Sequence, residues 1–210
     1  MAATESMPTA ETVYVVDDDA SMRVALDRMF RSASFAVKTF DSPTAFLSHN
    51  HDAAPCCAVL DLRMPALDGL ALQARLREDG RMLPVVFITG HGDVPTSVRA
   101  MKTGAIDFIE KPFENEDLIA AVRRALAASR DSVHAREQRA ALEQKLKSLT
   151  PRENEVFVLV AQGLLNKVIA ARLGTAEKTI KVHRGRVMKK MEAGSLAELV
   201  RISERLDLTK

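Results

Sequence analysis

The fold is decided by residues 56–69, whose sequence is CCAVLDLRMPALDG. The first five residues are apolar, which is the pattern of a buried strand in a parallel sheet. Pro65 and the pair Asp68-Gly69 mark the turn that follows. Asp61 therefore lies where a strand gives way to a turn. Because ligands of open α/β sheets bind outside the carboxyl ends of the strands, Asp61 is a candidate to act on a ligand.

Three further segments that are predicted to be strands end in polar residues. If the strands are parallel, these residues gather carboxylates, a hydroxyl and an ammonium around Asp61. Several carboxylates in one cleft repel one another, and Mg²⁺, a hard cation with oxygen ligands, would neutralise them and favour a phosphate. Lys111 and Thr89 would each contact a phosphoryl oxygen. The segments are 13–16 before Asp17, Asp18 and Asp19, 85–88 before Thr89, and 106–110 before Lys111.

The order and spacing of these strand-end residues resemble the receiver domain of two-component response regulators, over residues 11–128. The resemblance implies an α/β domain with a five-stranded parallel sheet of the flavodoxin or CheY-like type. It also implies a role for each strand-end residue. Asp61 is the phospho-acceptor; Asp17, Asp18, Asp61 and the backbone carbonyl of Arg63 hold Mg²⁺; Thr89 and Phe108 form a switch pair; Lys111 senses the phosphate and, with Thr89, assists phosphotransfer.

The composition is that of an ordinary globular chain whose charge is unevenly distributed. No apolar run in the 210 residues approaches the roughly 18 residues of a membrane span. No secretory signal is apparent, so we expect no membrane association and a cytoplasmic location. Cys56 and Cys57 alternate along a strand, which favours core packing over a disulfide. Residues 1–128 carry a net charge of −5, and residues 150–210 carry +5, which suggests a polyanion partner for the last region.

A second domain begins near residue 150. The sequence LTPRE at 149–153 predicts a helix whose threonine is the N-cap, whose proline is the first residue and whose glutamate completes a capping box. Further helical patterns follow, interrupted at Gly163, Gly174 and Gly194. A short helix, a turn with Gly174 and a longer basic helix that Thr175 can cap are the plan of a helix-turn-helix.

The last domain is predicted at residues 148–210, of which about 148–206 resemble the all-α, four-helix DNA-binding domain of NarL and LuxR-type regulators. The resemblance depends on LTPRE and on the segments NKVIA at 166–170 and KTIKVH at 178–183. With TGHGDVP at 89–95, the whole chain is similar to FixJ-type response regulators. The resemblance implies that the third helix of this domain enters the major groove, with Lys181 and Val182 facing bases and with Lys178, Arg184 and Arg186 meeting phosphate. The matching DNA-contacting stretch comprises Thr175, Lys178, Thr179, Lys181, Val182, Arg184 and Arg186.

Gly185 interrupts this basic stretch, where some relatives carry a basic residue. A glycine inside a helix costs ~1 kcal/mol relative to alanine. Two interpretations are open: the glycine allows the backbone to approach DNA closely, or it is a tolerated substitution.

One long helix is predicted to join the domains, because no Gly or Pro occurs between Pro112 and Pro151. It runs from the receiver into a charged linker at residues 129–147. Apolar residues recur near heptad positions along it, more weakly in the middle. Such a helix is either a signalling rod with a short coiled-coil seam or a solvated spacer.

The leading hypothesis is a response regulator transcription factor. It accepts a phosphoryl group on Asp61 from a histidine kinase and binds double-stranded promoter DNA as a homodimer that phosphorylation promotes. RNA polymerase is a further candidate partner. The chain is then no enzyme beyond phosphotransfer and self-dephosphorylation. A Mg²⁺-dependent aspartyl phosphohydrolase needs an acid/base, often two residues after the nucleophile, where Arg63 stands and cannot do that work. A constitutive DNA-binding regulator with an unphosphorylated receiver is the third alternative, and the complete set of strand-end residues argues against it.

Overall fold

The computed structural model describes residues 11–50, 54–90 and 94–208, with backbone alone for 94–96. Residues 91–93 of the TGHGDVP loop lie outside this description. The chain divides into two compact units between Val133 and His134.

A parallel sheet of five strands forms the centre of the first unit, within its described residues. The strand order is β2-β1-β3-β4-β5, and all four neighbouring pairs are parallel. This confirms the predicted receiver fold. The strands are β1 Thr12–Val16, β2 Ala36–Phe40, β3 Cys56–Asp61, β4 Val85–Thr89 and β5 Asp107–Glu110. The helices are α1 Ala20–Ser32, α2 Pro43–Leu47, α3 Gly69–Glu78, α4 Val94–Lys102 and α5 Asn115–Lys147.

Helices cover both faces of this sheet, so the central strands are buried on both sides. One core contains Val13, Val59 and the apolar residues of α1 and α5; the other contains Tyr14, Leu60 and residues of α2, α3 and α4. Successive residues of a strand therefore belong to different cores, as strand alternation requires. Cys57 lies in the first core and Cys56 in the second, and both thiols are free, which confirms the expected packing role.

The long helix α5 runs without interruption from the first unit into the second, as predicted. Its apolar positions serve two different cores. Leu118, Val122 and Leu126 are buried in the first unit, whereas Leu142 and Leu146 pack against the core of the second. Residues 134–141 between them are exposed throughout. The heptad-like recurrence therefore corresponds, at its two ends, to packing inside two separate cores of the same chain.

Four short helices complete the second unit, within the part of the chain that the structure describes. The capping box at its start is confirmed: Glu153 N–H donates to Thr150 Oγ1 and the Glu153 carboxylate accepts from Thr150 N–H. The predicted Thr175 cap is wrong, because Ala176 occupies the N-cap position and offers no side-chain bond. The helices are α6 Pro151–Ala161, α7 Asn166–Arg172, α8 Glu177–Lys190 and α9 Leu196–Arg205.

Candidate functional site

The carboxyl ends of β1, β3 and β5 bring three charged side chains together. Lys111 Nζ lies 2.9 Å from Asp61 Oδ1 and 3.1 Å from Asp17 Oδ2. Asp17 and Asp61 are 1% and 7% exposed, so one ammonium bridges two buried carboxylates. Residues that are 50 or more positions apart in sequence meet here because their strands are parallel and end at the same edge of the sheet.

Backbone groups fix this constellation. The Arg63 N–H donates to Asp61 Oδ2 at 3.0 Å, and the Asp19 N–H donates to Asp17 Oδ1 at 2.8 Å. The Lys111 N–H donates to the carbonyl oxygen of Thr89, a buried residue at the end of β4. The two carboxylates are thus held by the loops that follow their own strands, and the Lys111 backbone is held by the end of β4, which limits the freedom of the site before any ligand arrives.

Burial and the bridging ammonium act in opposite directions on Asp61. Burial raises the pKa of Asp61, and the hydrogen bond and charge of Lys111 offset only part of that rise. Burial lowers the pKa of Lys111, but the hydrogen bonds and charges of Asp61 and Asp17 outweigh it, so the pKa of Lys111 is raised overall. Lys111 therefore remains a cation at neutral pH. Asp61 is thus a poorly solvated carboxylate held 2.9 Å from that cation.

Two residues at this site were not singled out from the sequence. Arg23 of α1 donates from Nη1 to the Asp17 carbonyl oxygen at 2.7 Å, which ties the end of β1 to the following helix. Gly69 begins α3 directly beneath the acceptor: a Cβ there would lie 2.6 Å from the Asp61 carbonyl oxygen. The sequence signal for Gly69 was present, but it was interpreted only as a turn marker.

The other predicted receiver residues occupy less enclosed positions. Asp18 and Arg63 are exposed, next in the chain to Asp17 and two residues after Asp61. Phe108 is half-buried on β5, opposite Phe87 of β4 in the register of the sheet.

The donor chemistry of the cleft fits Mg²⁺. This ion takes one or two carboxylates and keeps several waters, and Asp17 and Asp61 form a buried pair. Each of their oxygens accepts one hydrogen bond and retains a further lone pair. Among the described residues no group of three or more His, Cys, Asp or Glu side chains is close enough to hold a metal. Further ligands would come from the Arg63 carbonyl, Asp18 or water.

Helix α8 presents the second candidate surface. Ile180 and Val187 face the core of its unit and are fully buried. The opposite side is exposed and carries most of the predicted DNA-contacting residues. They are Lys178, Thr179, Lys181, Val182 and Arg186, with Thr175 half-buried just before the helix. A Cβ at the exposed Gly185 would meet no described atom within 4 Å, so packing inside the protein does not require glycine there.

Arg184 differs from the other cations of this helix. It is half-buried, and its Nη1 donates to Asn166 Oδ1 of α7 at 3.2 Å. The structure therefore does not place Arg184 on the exposed side with Lys178 and Arg186.

A receiver-like α/β unit followed by a helix-turn-helix unit is the organisation of a response regulator, and comparisons with known families agree with this class. Residues 13–123 match the family of the response regulator receiver domain, and residues 147–203 match the luxR family of bacterial regulatory proteins. The chain belongs to the NarL/FixJ-type response regulators.

Named relatives extend over nearly the whole chain. Nodulation protein W of Bradyrhizobium diazoefficiens is 46% identical over 201 residues, which cover 96% of this chain and 88% of that protein. The transcriptional regulatory protein FixJ of the same organism is 42% identical over 199 residues, which cover 95% of this chain and 97% of that protein. The low-resolution structure of response regulator StyR has a TM-score of 0.82 and 47% identity, over 94% of this chain and all of that one.

No described helix is long and apolar enough to cross a membrane.

Proposed function

We propose that this chain is a phosphorylation-controlled transcription regulator whose phospho-acceptor is Asp61. A histidine kinase supplies the phosphoryl group: an Asp61 oxygen forms the new bond to phosphorus as the bond to the kinase histidine breaks. The observation that carries the proposal is the Lys111 ammonium that bridges Asp17 and Asp61. A buried carboxylate beside an ammonium group is suited to receive an anionic phosphoryl group, because the positive charge stabilises the added negative charge.

Mg²⁺ in the cleft would neutralise the charge of the transferring phosphoryl group. The protein side chains have separate tasks. Asp17, Asp18 and Asp61 would hold the cation with the Arg63 carbonyl. Lys111 moves from its bridging position to a phosphoryl oxygen, and the Thr89 hydroxyl donates to another.

The same contacts provide the proposed switch. As Thr89 and Lys111 are drawn towards the phosphoryl group, the half-buried Phe108 ring turns inward, and the face formed by α4, β5 and α5 changes shape. Two charge-assisted contacts of ~1.5–3 kcal/mol each approach the ~5.5 kcal/mol needed to move an equilibrium from 1:99 to 99:1. Val98 and Met101 of α4 are 44% and 49% exposed, and burial of these apolar side chains supports homodimer formation through this face.

Promoter DNA is the proposed second partner. A dimer would place α8 of each protomer in successive major grooves about one helical turn apart. Lys181 and Val182 would contact base edges, while Lys178 and Arg186 would neutralise phosphates. Promoter binding is also the basis for proposing a cytoplasmic location and RNA polymerase as a further partner.

The phosphorylation half of the proposal is tested by mass spectrometry after treatment with acetyl phosphate and Mg²⁺. Wild-type protein should gain one phosphoryl group, and Asp61→Asn should gain none. Asp79→Asn, at an exposed aspartate, is the matched control and should label like wild type. Stoichiometric labelling of Asp61→Asn would show that the acceptor is another residue.

The DNA half is tested by salt titrations with phosphorylated protein. The probes are a short duplex enriched from a random library by the wild-type protein and a shuffled duplex of equal composition. Lys178→Ala and Arg186→Ala should weaken binding to both duplexes alike. Each should also lower the slope of log K against log salt concentration by about one unit. Lys181→Ala should cost ~1–3 kcal/mol on the enriched duplex and much less on the shuffled one. Lys147→Ala, an exposed cation outside α8, is the control. Unchanged binding in all three α8 variants would exclude α8 as the DNA-contacting helix.

A further inference from the structure

Arg184 lies at a position of α8 where an apolar residue is expected. It follows the buried Ile180 by four residues and precedes the buried Val187 by three. Residues at these spacings share one side of a helix. The backbone of α8 therefore directs Arg184 towards the neighbouring helix rather than towards the exposed side that carries Lys178 and Val182.

The neighbour that receives Arg184 is the start of α7. Arg184 Nη1 donates to the Oδ1 of Asn166, the first residue of α7, at 3.2 Å. Both side chains are half-buried. Arg184 therefore lies at the contact between the two helices of the helix-turn-helix, with one guanidinium nitrogen bound beside the first turn of α7. A guanidinium has five N–H donors, and the bond to Asn166 uses one of them.

We propose that Asn166 is a positioning residue that holds the Arg184 guanidinium at the contact of α7 and α8, where its remaining donors bind a DNA phosphate beside the major groove. This inference rests on the proposed function. A flexible arginine loses rotamer freedom when it meets a phosphate, and a guanidinium already held by an amide loses less. Asn166 therefore strengthens DNA binding without adding charge, and its effect depends on Arg184 being present.

A double-mutant cycle separates the two roles. Full-length phosphorylated protein is titrated with salt on the enriched and shuffled duplexes described above. Arg184→Ala should lower the salt slope by about one unit, because one phosphate contact is lost. Asn166→Ala should weaken binding to both duplexes about three- to tenfold, which is the effect of one hydrogen bond on a binding constant. The salt slope should stay the same. In the Arg184→Ala background, Asn166→Ala should have no further effect.

Controls distinguish this role from damage to the fold. Asn154→Ala, an exposed asparagine of α6, should bind DNA like wild type. Arg184→Gln keeps a donor for Asn166 but has no charge, so it should lower the salt slope by the same one unit as Arg184→Ala. It replaces Arg184→Ala in the cycle if that variant does not fold.

Two outcomes overturn the inference while the proposed function stands. In the first, wild type binds and Lys178→Ala lowers the salt slope, but the Arg184 variants leave the slope unchanged. In the second, Asn166→Ala weakens binding equally with and without Arg184. Failure of phosphorylated wild-type protein to bind either duplex would instead overturn the proposed function itself.

Discussion

Replacement of Gly69 by alanine should strain the backbone that carries the phospho-acceptor. The new Cβ would lie 2.6 Å from the Asp61 carbonyl oxygen, 3.2 Å from the Leu62 Cα and 3.0 Å from a Phe87 ring carbon. Two of these are main-chain atoms that cannot rotate away. The Gly69 N–H also donates to the Leu62 carbonyl oxygen at 3.0 Å, which fixes the approach. Overpacking of this kind costs ~1–3 kcal/mol, and the better helix propensity of alanine offsets up to ~1 kcal/mol. We expect a net loss of about 1–2 kcal/mol in the unfolding free energy of the receiver unit.

Tyrosine fluorescence can report this loss for the receiver alone. The chain has one tyrosine and no tryptophan, and Tyr14 is fully buried in β1. Urea unfolding followed at Tyr14 should give a lower midpoint for Gly69→Ala, and phosphorylation by acetyl phosphate should be slower because Asp61 is displaced. Gly90→Ala is the matched control, because a Cβ at Gly90 would meet no described atom within 4 Å. The unfolding free energy of this variant should differ from that of wild type by less than about 0.5 kcal/mol. Equal urea midpoints for Gly69→Ala and wild type would refute the steric argument.

Two further predictions concern the second unit, whose unfolding is the part of the far-UV circular dichroism change that is not accompanied by a change in Tyr14 fluorescence. The Lys190 hydrogen bond and the Thr150 N–H lower the pKa of Glu153 from 4.5 to about 2, so Glu153 contributes stability that is present above pH 4.5 and is lost as pH falls towards 2. Glu153→Gln should therefore lower the unfolding free energy by roughly 1–3 kcal/mol at pH 7 and make it depend less on pH between 4.5 and 2. An acid transition identical to that of wild type would contradict this role of Glu153. Gly185→Ala should raise the unfolding free energy by about 0.5–1 kcal/mol, since nothing in the protein opposes the methyl group; a lower stability would show a hidden packing constraint.

The receiver site could be predicted from sequence because one rule places its residues. In a parallel sheet, the residues at the carboxyl ends of the strands lie at the same edge, so Asp17, Asp61 and Lys111 were expected close together once the strands were recognised. The pattern could not reveal that Lys111 contacts both carboxylates at once. That contact depends on side-chain reach and on the backbone bond from Lys111 to Thr89.

Contacts between helices were less predictable, because helical periodicity shows which side of a helix is apolar but not which element packs against that side. The recurrence of Leu118, Leu126 and Leu146 left a coiled-coil seam open as one interpretation, yet these residues pack in two different cores. The family resemblance likewise grouped Arg184 with Lys178 as phosphate contacts, although the two residues lie on different sides of α8. Spacing from Ile180 and Val187 would have identified Arg184 as a residue that faces its own domain.

The central claim is that a phosphoryl group on Asp61 controls DNA binding, and one affinity comparison tests it most directly. The affinity for the enriched duplex is measured before and after treatment with acetyl phosphate and Mg²⁺, for wild type and for Asp61→Asn. Wild type should bind more tightly after treatment by roughly 5- to 150-fold, the ordinary range of coupling between two sites, while Asp61→Asn should not change. Equal wild-type affinities before and after stoichiometric phosphorylation, or an equal gain in Asp61→Asn, would contradict the account.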